Sequence, residues 1–162
     1  MNKFKIFGVG WATLTLFSSH ALAQSLWKGL SFGMNEQRIQ SIFPNVIQKN
    51  PDLLILDGLK IEQCDIHVVL NMKNHALESV QVENGYGSGQ IETCYFMMKS
   101  AVEAKYGKPI EEERDRMSGY EILRVNPFVV ADVDWSENPN VHPKKITIIY
   151  RRESENSAQK ML

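Results

Sequence analysis

Apolar residues recur along this chain with two different periods, which predict two kinds of secondary structure. Strict alternation predicts a β-strand with one buried face, and it is clearest over 64–72. The same alternation predicts further strands around 80–82, 120–125, 129–135 and 146–150. A spacing of four, three and four residues predicts an amphipathic helix over about 90–106, with an apolar stripe of Ile91, Tyr95, Met98 and Val102.

The predicted elements occur twice in the same order. Asn35 is placed to cap a short helix over 36–43, which Pro44 ends, and a three-stranded unit follows it. The second helix is also followed by three strands, so the sequence predicts a tandem α-β-β-β repeat over about 34–84 and 90–151. We therefore predict an α+β fold in which one antiparallel sheet of about six strands carries two helices on one face.

Three segments between these elements are assigned from their turn residues and polarity. Within the apolar run 53–61, Asp57-Gly58 predicts a tight hairpin turn that joins two short strands. Segments 45–52 and 111–116 show no alternation of apolar residues, so we predict a loop and a charged connection there.

The first 23 residues have the features of a secretory signal peptide. Lys3 and Lys5 precede an uncharged apolar stretch over 6–17, and 21–23 (ALA) supplies the small residues of a cleavage site. The apolar stretch is shorter than the roughly 20 residues that cross a bilayer as a helix. We therefore expect a cleaved signal peptide over 1–23, a single domain over 24–151 and a polar tail over 152–162.

Removal of this peptide would change the formal net charge from −1 to −3, because it contains two lysines and no acidic residue. That mild acidity predicts a partner other than nucleic acid. No later apolar run is long enough for membrane insertion, and no cysteine follows the cleavage site to accept a lipid. The expected location is the periplasm, or the medium if the protein is secreted.

The two cysteines of the chain, Cys64 and Cys94, are expected to form a disulfide in an oxidising compartment. Cys94 lies near the start of the second helix. The bond would therefore put Cys64, and every second residue after it in the strand, on the helix-covered face of the sheet. Residues of the opposite phase would form an uncovered face. We predict that this face binds the partner through His67, Val69, Asn71, Gln81, Val130, Asp132, Asp134, Thr147 and Ile149.

No constellation of residues in the sequence points to catalysis. The segment GYGSG over 85–89 matches G-x-G-x-x-G incompletely, and we expect a flexible hinge there. Asp132 and Asp134 share a strand face without the further acidic ligands of a calcium loop. The histidines lack zinc-ligand spacing, and no serine occupies G-x-S-x-G. We therefore predict no enzyme activity, no cofactor and no metal.

Two short stretches of the chain resemble a known pattern. FGM at 32–34 leads into the first helix, and YGKP at 106–109 ends the second, which is similar to "GM-t-x-x-x-V … lG-x-P". This pattern is typical of small bacterial envelope proteins of the SmpA/OmlA type and of the duplicated β-lactamase inhibitory protein. The resemblance implies a non-catalytic module that binds protein through its exposed sheet face. The halves depart from the pattern, since the first has Phe43-Pro44 where Gly-x-Pro is expected and the second lacks Gly-Met.

Taken together, these features predict an exported, non-catalytic protein-binding or accessory module of the bacterial cell envelope. One variant is an inhibitor or immunity protein that neutralises a secreted toxin or hydrolase. The lead-in segment 27–32 is expected to contribute to the binding face. The alternative is a periplasmic carrier of a small ligand or lipid, which would need an apolar pocket between the helices and the sheet.

Overall fold

A computed structural model describes residues 25–85, 91–137 and 144–153, where one large β-sheet organises the fold. Eight strands form this sheet, and every neighbouring pair is antiparallel. No helix of the described ranges is long and apolar enough to cross a membrane. The predicted signal peptide, residues 86–89 of the predicted hinge and the tail beyond 153 lie outside the described residues.

The first half of the described chain contains a hairpin, a helix and four strands of the sheet. In order these are β1 (Ser25–Trp27), β2 (Leu30–Ser31), α1 (Glu36–Ile42), β3 (Val46–Asn50), β4 (Leu53–Ile61), β5 (Cys64–Lys73) and β6 (Ala76–Asn84). Asn35 caps α1 as predicted, since its side-chain oxygen accepts a hydrogen bond from the Arg38 amide at 2.9 Å. Asn74 and His75 turn β5 into β6 with φ of 52° and 61°, as a two-residue type I′ turn requires.

The second half repeats the helix and the four strands of the sheet, without a hairpin before the helix among the described residues. Its elements are α2 (Ile91–Tyr106), β7 (Glu111–Arg114), β8 (Ser118–Asn126), β9 (Val129–Ser136) and β10 (Lys145–Arg152). Gly107 ends α2 in the left-handed region at φ 78°, and its amide donates a hydrogen bond to the Glu103 carbonyl at 2.9 Å. The predicted second helix is therefore confirmed to within a residue at each end.

The strands lie in the order β3-β4-β5-β6-β10-β9-β8-β7, so the last strands of the two halves meet in the middle of the sheet. Each half supplies one helix and then four consecutive strands. The predicted α+β class, the antiparallel sheet and its two helices are confirmed. The predicted count of about six strands is wrong, because the sheet has eight.

The extra strands are the two edges of the sheet, in segments predicted to be a loop and a charged connection. All four residues of β7 are exposed, and so are the last four of β3. A strand without a buried face has no apolar alternation, and charged side chains are common on edges because they prevent pairing with another chain. Neither segment therefore carries the sequence signal of a half-buried strand.

The predicted hairpin turn at Asp57-Gly58 is also wrong. β4 continues through both residues, and its pairing with β5 shifts register between Leu56 and Leu59. Gly58 has a φ of 71°, which is typical of an extra residue in a β-bulge. The dipeptide therefore bends one long strand and does not separate two short ones.

One face of the sheet forms the core together with both helices and the β1–β2 hairpin. The alternating residues of β5 that begin at Cys64 are at most 5% exposed. The four of them that follow Cys64 join a single apolar cluster with Ile39 of α1, Tyr95 and Met98 of α2 and Leu30 of the hairpin. Both helices therefore cover the same face, as predicted.

Cys64 of β5 and Cys94 of α2 form a disulfide, with their Cα atoms 5.4 Å apart. This confirms the predicted pairing. It also confirms that Cys64 and every second residue after it lie on the helix-covered face. The helix packs on β5 and β6 of the first half and on β8 and β10 of the second. The bond therefore fixes the helix of one half onto a strand of the other.

Gly119 of β8 leaves room for the indole ring of its neighbour on β9, Trp135. A Cβ at position 119 would lie 2.4 Å from Trp135 Cζ2, while Lys99 Nζ lies 3.8 Å from the centroid of the ring. We expect Gly119→Ala to lower the free energy of unfolding by about 1–3 kcal/mol in urea denaturation, because the ring must shift within packed surroundings. The loss of unfolding free energy caused by Gly119→Ala should be smaller in a Trp135→Leu background. If the effects of the two substitutions simply add, the clash with the indole ring is not the cause.

Candidate functional site

The sheet face opposite the helices is the candidate site, and its side chains lie in three rows that cross the strands. What we call the central row takes one residue from each of the eight strands. In spatial order these are Ile47, Ile55, Val69, Gln81, Ile149, Asp132, Ile122 and Glu111. Ile47 is 41% exposed, and Ile55, Val69 and Ile149 are half-buried. The row therefore presents aliphatic surface on an open face.

The next row is rich in carboxylates, and we call it the acidic row. Its members are His67, Glu83, Thr147, Asp134, Tyr120 and Glu113. Glu83 is only 8% exposed, and its Oε1 accepts a hydrogen bond from Gln81 Nε2 at 2.6 Å. The same oxygen lies 3.1 Å from Lys145 Nζ. Asp134 and Glu113 are exposed, so two carboxylates of this row are open to a partner.

Two members of the acidic row have raised pKa values. Desolvation, with repulsion from Asp132 as the second cause, raises the pKa of Asp134, while Lys145 opposes the shift. Burial and a hydrogen bond with Glu111 raise the pKa of Tyr120, so its phenol stays protonated near neutral pH. A cation brought to Asp134 would offset the repulsion, and the row therefore favours a basic group.

At the β7 end of the acidic row the surface forms an open cleft of about 460 Å³, which we call the acidic cleft. Glu113, Asp115 and Asp134 bring three carboxylates to its lining, and Lys145 brings one ammonium group. Charge-assisted hydrogen bonds to carboxylates are the strong ones in proteins. The acidic cleft is therefore suited to an arginine or lysine side chain of a partner.

The third row carries two arginines, and we call it the arginine row. Its members are Leu53, Asn71, Ser79, Arg151, Val130 and Arg124. Arg151 donates two hydrogen bonds to the Asp132 carboxylate, from Nε to Oδ2 and from Nη2 to Oδ1, the latter at 2.9 Å. Arg124 holds Glu153 through two hydrogen bonds of 2.8 and 2.9 Å. Val130 lies between the arginines and is 1% exposed, so it offers no contact surface.

The structure brings all nine predicted partner-binding residues onto this one face, in the three rows. It adds members that the sequence analysis missed. Glu83 and Arg151 lie two residues after Gln81 and Ile149, so the same alternation along β6 and β10 would have assigned them to this face. Glu113 had no such signal, because its segment was assigned to a connection.

The lead-in segment does not contribute to this face as predicted. It forms the β1–β2 hairpin, and Trp27 and Leu30 are buried in the core on the helix-covered side. Phe32 is half-buried, with the Arg152 guanidinium 3.7 Å from its ring centroid. The hairpin therefore closes the core on the helix side of the sheet.

Comparison with known proteins adds no relative to this picture. No protein-family model, no curated protein and no solved structure matches the chain. The resemblance to the SmpA/OmlA type and to the β-lactamase inhibitory protein stays a prediction.

Across the part of the chain that the structure describes, no group of three or more His, Cys, Asp or Glu side chains could hold a metal ion.

Proposed function

We propose that this protein is an exported, non-catalytic module of the bacterial cell envelope that binds another protein through the uncovered sheet face. The observation that carries the proposal is the central row, with aliphatic side chains on a face that no described helix or hairpin covers. Exposed apolar surface bordered by polar residues is a common mark of protein–protein contact. The acidic row supplies such a border.

The face has the dimensions of a specific interface. The three rows contain 20 residues, and each occupies about 33 Å², which is the strand spacing of about 4.8 Å multiplied by about 6.8 Å for two residues along a strand. The total, roughly 700 Å², is close to the roughly 800 Å² that one partner contributes to a standard interface. Burial of the central row would supply affinity, and the acidic row would orient the partner.

The charges of the face define the partner's chemistry. Arg124 and Arg151 are already held by carboxylates of the chain itself, whereas Glu113 and Asp134 are exposed in the acidic cleft. The complementary surface is therefore an apolar patch bordered by lysine or arginine. A secreted enzyme or toxin with such a surface is the partner that an inhibitor or immunity protein would require.

Charge reversal in the acidic cleft tests this proposal. The protein is immobilised, and proteins retained from envelope extract and medium of the source cells are identified by mass spectrometry. We expect Glu113→Lys/Asp134→Lys to reduce retention of a specific partner at least tenfold, because two attractive contacts become repulsive. Val69→Asp, in the central row, should reduce it independently by placing a charge in the apolar contact.

The matched control is Glu62→Lys/Glu103→Lys, which changes the net charge equally at exposed positions on the helix side of the sheet. It should retain the partner as well as the wild type does. Melting curves of all variants separate lost contact from lost folding. The proposal is overturned if retention is the same in every folded variant, or if both charge reversals reduce it equally.

A further inference from the structure

A second cleft, of about 500 Å³, lies on the helix-covered side of the sheet between α2 and the β1–β2 hairpin. We call it the helix cleft. Its apolar lining includes Val82 and Ile148 of the sheet, Met98 and Val102 of α2 and Trp27 of the hairpin. The volume falls within the range of about 300–1,000 Å³ that is usual for small-molecule sites. This is the kind of pocket that a carrier of a small ligand would need.

The charged groups that line the helix cleft are mostly cationic. Lys28, Lys60 and Lys105 contribute three ammonium groups and are exposed, while Glu62 contributes one carboxylate. The site therefore combines an apolar lining with an excess of positive charge at its edge. This contrasts with the mild acidity of the chain as a whole, which has a formal net charge of −1.

The contacts of these lysines show which charges can meet a ligand. Lys60 Nζ pairs with Asp65 Oδ1 at 3.1 Å, whereas neither Lys28 nor Lys105 forms an ion pair within the described residues. Lys28 Nζ lies 5.1 Å from the ring centroid of Trp27, and Lys105 Nζ lies 4.9 Å from that of Tyr106. Both rings line the cleft, so these two cations are held at its edge.

We propose that the helix cleft binds a single-chain amphiphile with one anionic head group, of which a medium-chain carboxylate is the simplest form. The alkyl chain lies against the apolar lining, and the carboxylate meets Lys28 and Lys105. The rings of Tyr106 and Tyr150, which both line the cleft, pack edge to face with their centroids 6.3 Å apart and add aromatic surface for the alkyl chain. This site is independent of the protein-binding face, because it lies on the other side of the sheet.

Isothermal titration calorimetry with octanoate, decanoate and 1-octanol tests the proposal on the purified protein. We expect decanoate to bind about 15-fold more tightly than octanoate, because each buried CH₂ group tightens binding about fourfold. Lys28→Gln/Lys105→Gln should weaken octanoate at least tenfold and leave 1-octanol unchanged. The control Lys49→Gln/Lys108→Gln removes two exposed lysines that lie away from the cleft and should change neither affinity.

Filling the cleft provides a test that keeps its charges. Ala101 is an exposed residue of α2 that lines the cleft, and Ala104 is an exposed residue of α2 that does not. Ala101→Phe should abolish decanoate binding, whereas Ala104→Phe should preserve it, with equal melting temperatures. Capture of a protein partner should survive Ala101→Phe, which separates this proposal from the first.

Four results with soluble ligands would overturn the proposal. These are no decanoate binding at millimolar concentration, equal affinity of 1-octanol and octanoate, unchanged binding by Ala101→Phe, and decanoate binding that appears only after removal of residues 154–162. The last result would make that segment of the chain the occupant of the cleft. Lysine-dependent binding to vesicles of anionic phospholipid without binding of free decanoate would assign the lysines to a membrane surface, and would also overturn it.

Discussion

Replacement of Tyr95 by alanine is expected to lower the free energy of unfolding by about 3–5 kcal/mol. Tyr95 is 0% exposed and the largest of the fully buried side chains among the described residues. Its ring joins α2 to the sheet core, and its hydroxyl donates a hydrogen bond to Glu137 Oε1 at 2.8 Å. The variant would therefore leave a large cavity and an unpaired acceptor. Urea denaturation followed by circular dichroism measures the loss.

The adjacent residue provides the matched control. Phe96 belongs to the same helix and is 47% exposed, so Phe96→Ala should cost only about 0.5 kcal/mol. Tyr95→Phe keeps the ring and should cost about 1 kcal/mol for the lost hydrogen bond. Burial, followed by the hydrogen bond to Glu137, raises the pKa of Tyr95, so the hydroxyl remains a donor. Equal losses for Tyr95→Ala and Phe96→Ala would contradict the packing of α2 described above.

Loss of the disulfide is expected to have a comparable effect. Cys64→Ala/Cys94→Ala should lower the free energy of unfolding by about 3–4 kcal/mol, because the bond closes a loop with a sequence separation of 30 and restricts the unfolded chain. Alanine is preferred to serine because the two sites are at most 1% exposed and an unpaired hydroxyl there would add its own cost. Urea denaturation of the oxidised wild type and the double variant measures the difference.

Reductant provides the control for the disulfide. Wild-type protein treated with dithiothreitol should denature at nearly the same urea concentration as the double variant, and the double variant should be insensitive to the reagent. A double variant as stable as the oxidised wild type would show that the bond does not stabilise the fold. Because α2 also forms one wall of the helix cleft, the double variant should bind decanoate more weakly.

The strands and helices with one buried face were predicted well, because burial imposes its period directly on the sequence. β5 alternates between core and uncovered face along its length, and the stripe of α2 buries Tyr95, Met98 and Val102. The prediction failed where a strand has no buried face, as in β3 and β7. It also failed at Asp57-Gly58, since the same dipeptide suits a hairpin turn and a β-bulge, and only the pairing with β5 distinguishes them.

The candidate site was predicted in its membership but not in its arrangement. Alternation and the disulfide assigned nine residues to the uncovered face, and all nine lie there. Their neighbours depend on strand order, which brings β6 beside β10 although they are far apart in the sequence. The ion pair of Asp132 with Arg151 and the burial of Val130 depend instead on the register between the consecutive strands β8, β9 and β10, which the sequence analysis did not assign. The acidic cleft also depends on β7, which the sequence did not predict as a strand.

The sequence by itself determined the elements with a buried face, the disulfide pairing and the division of the central strands into two faces. Each of these follows from local periodicity or from the small number of cysteines. Only the tertiary structure decided how many strands the sheet has, which carboxylates remain open to a partner, and that α2 and the β1–β2 hairpin enclose the helix cleft. The edge strands were missed because they bury almost no face, whereas the clefts depend on contacts between residues distant in the chain; neither condition imposes a period on the sequence.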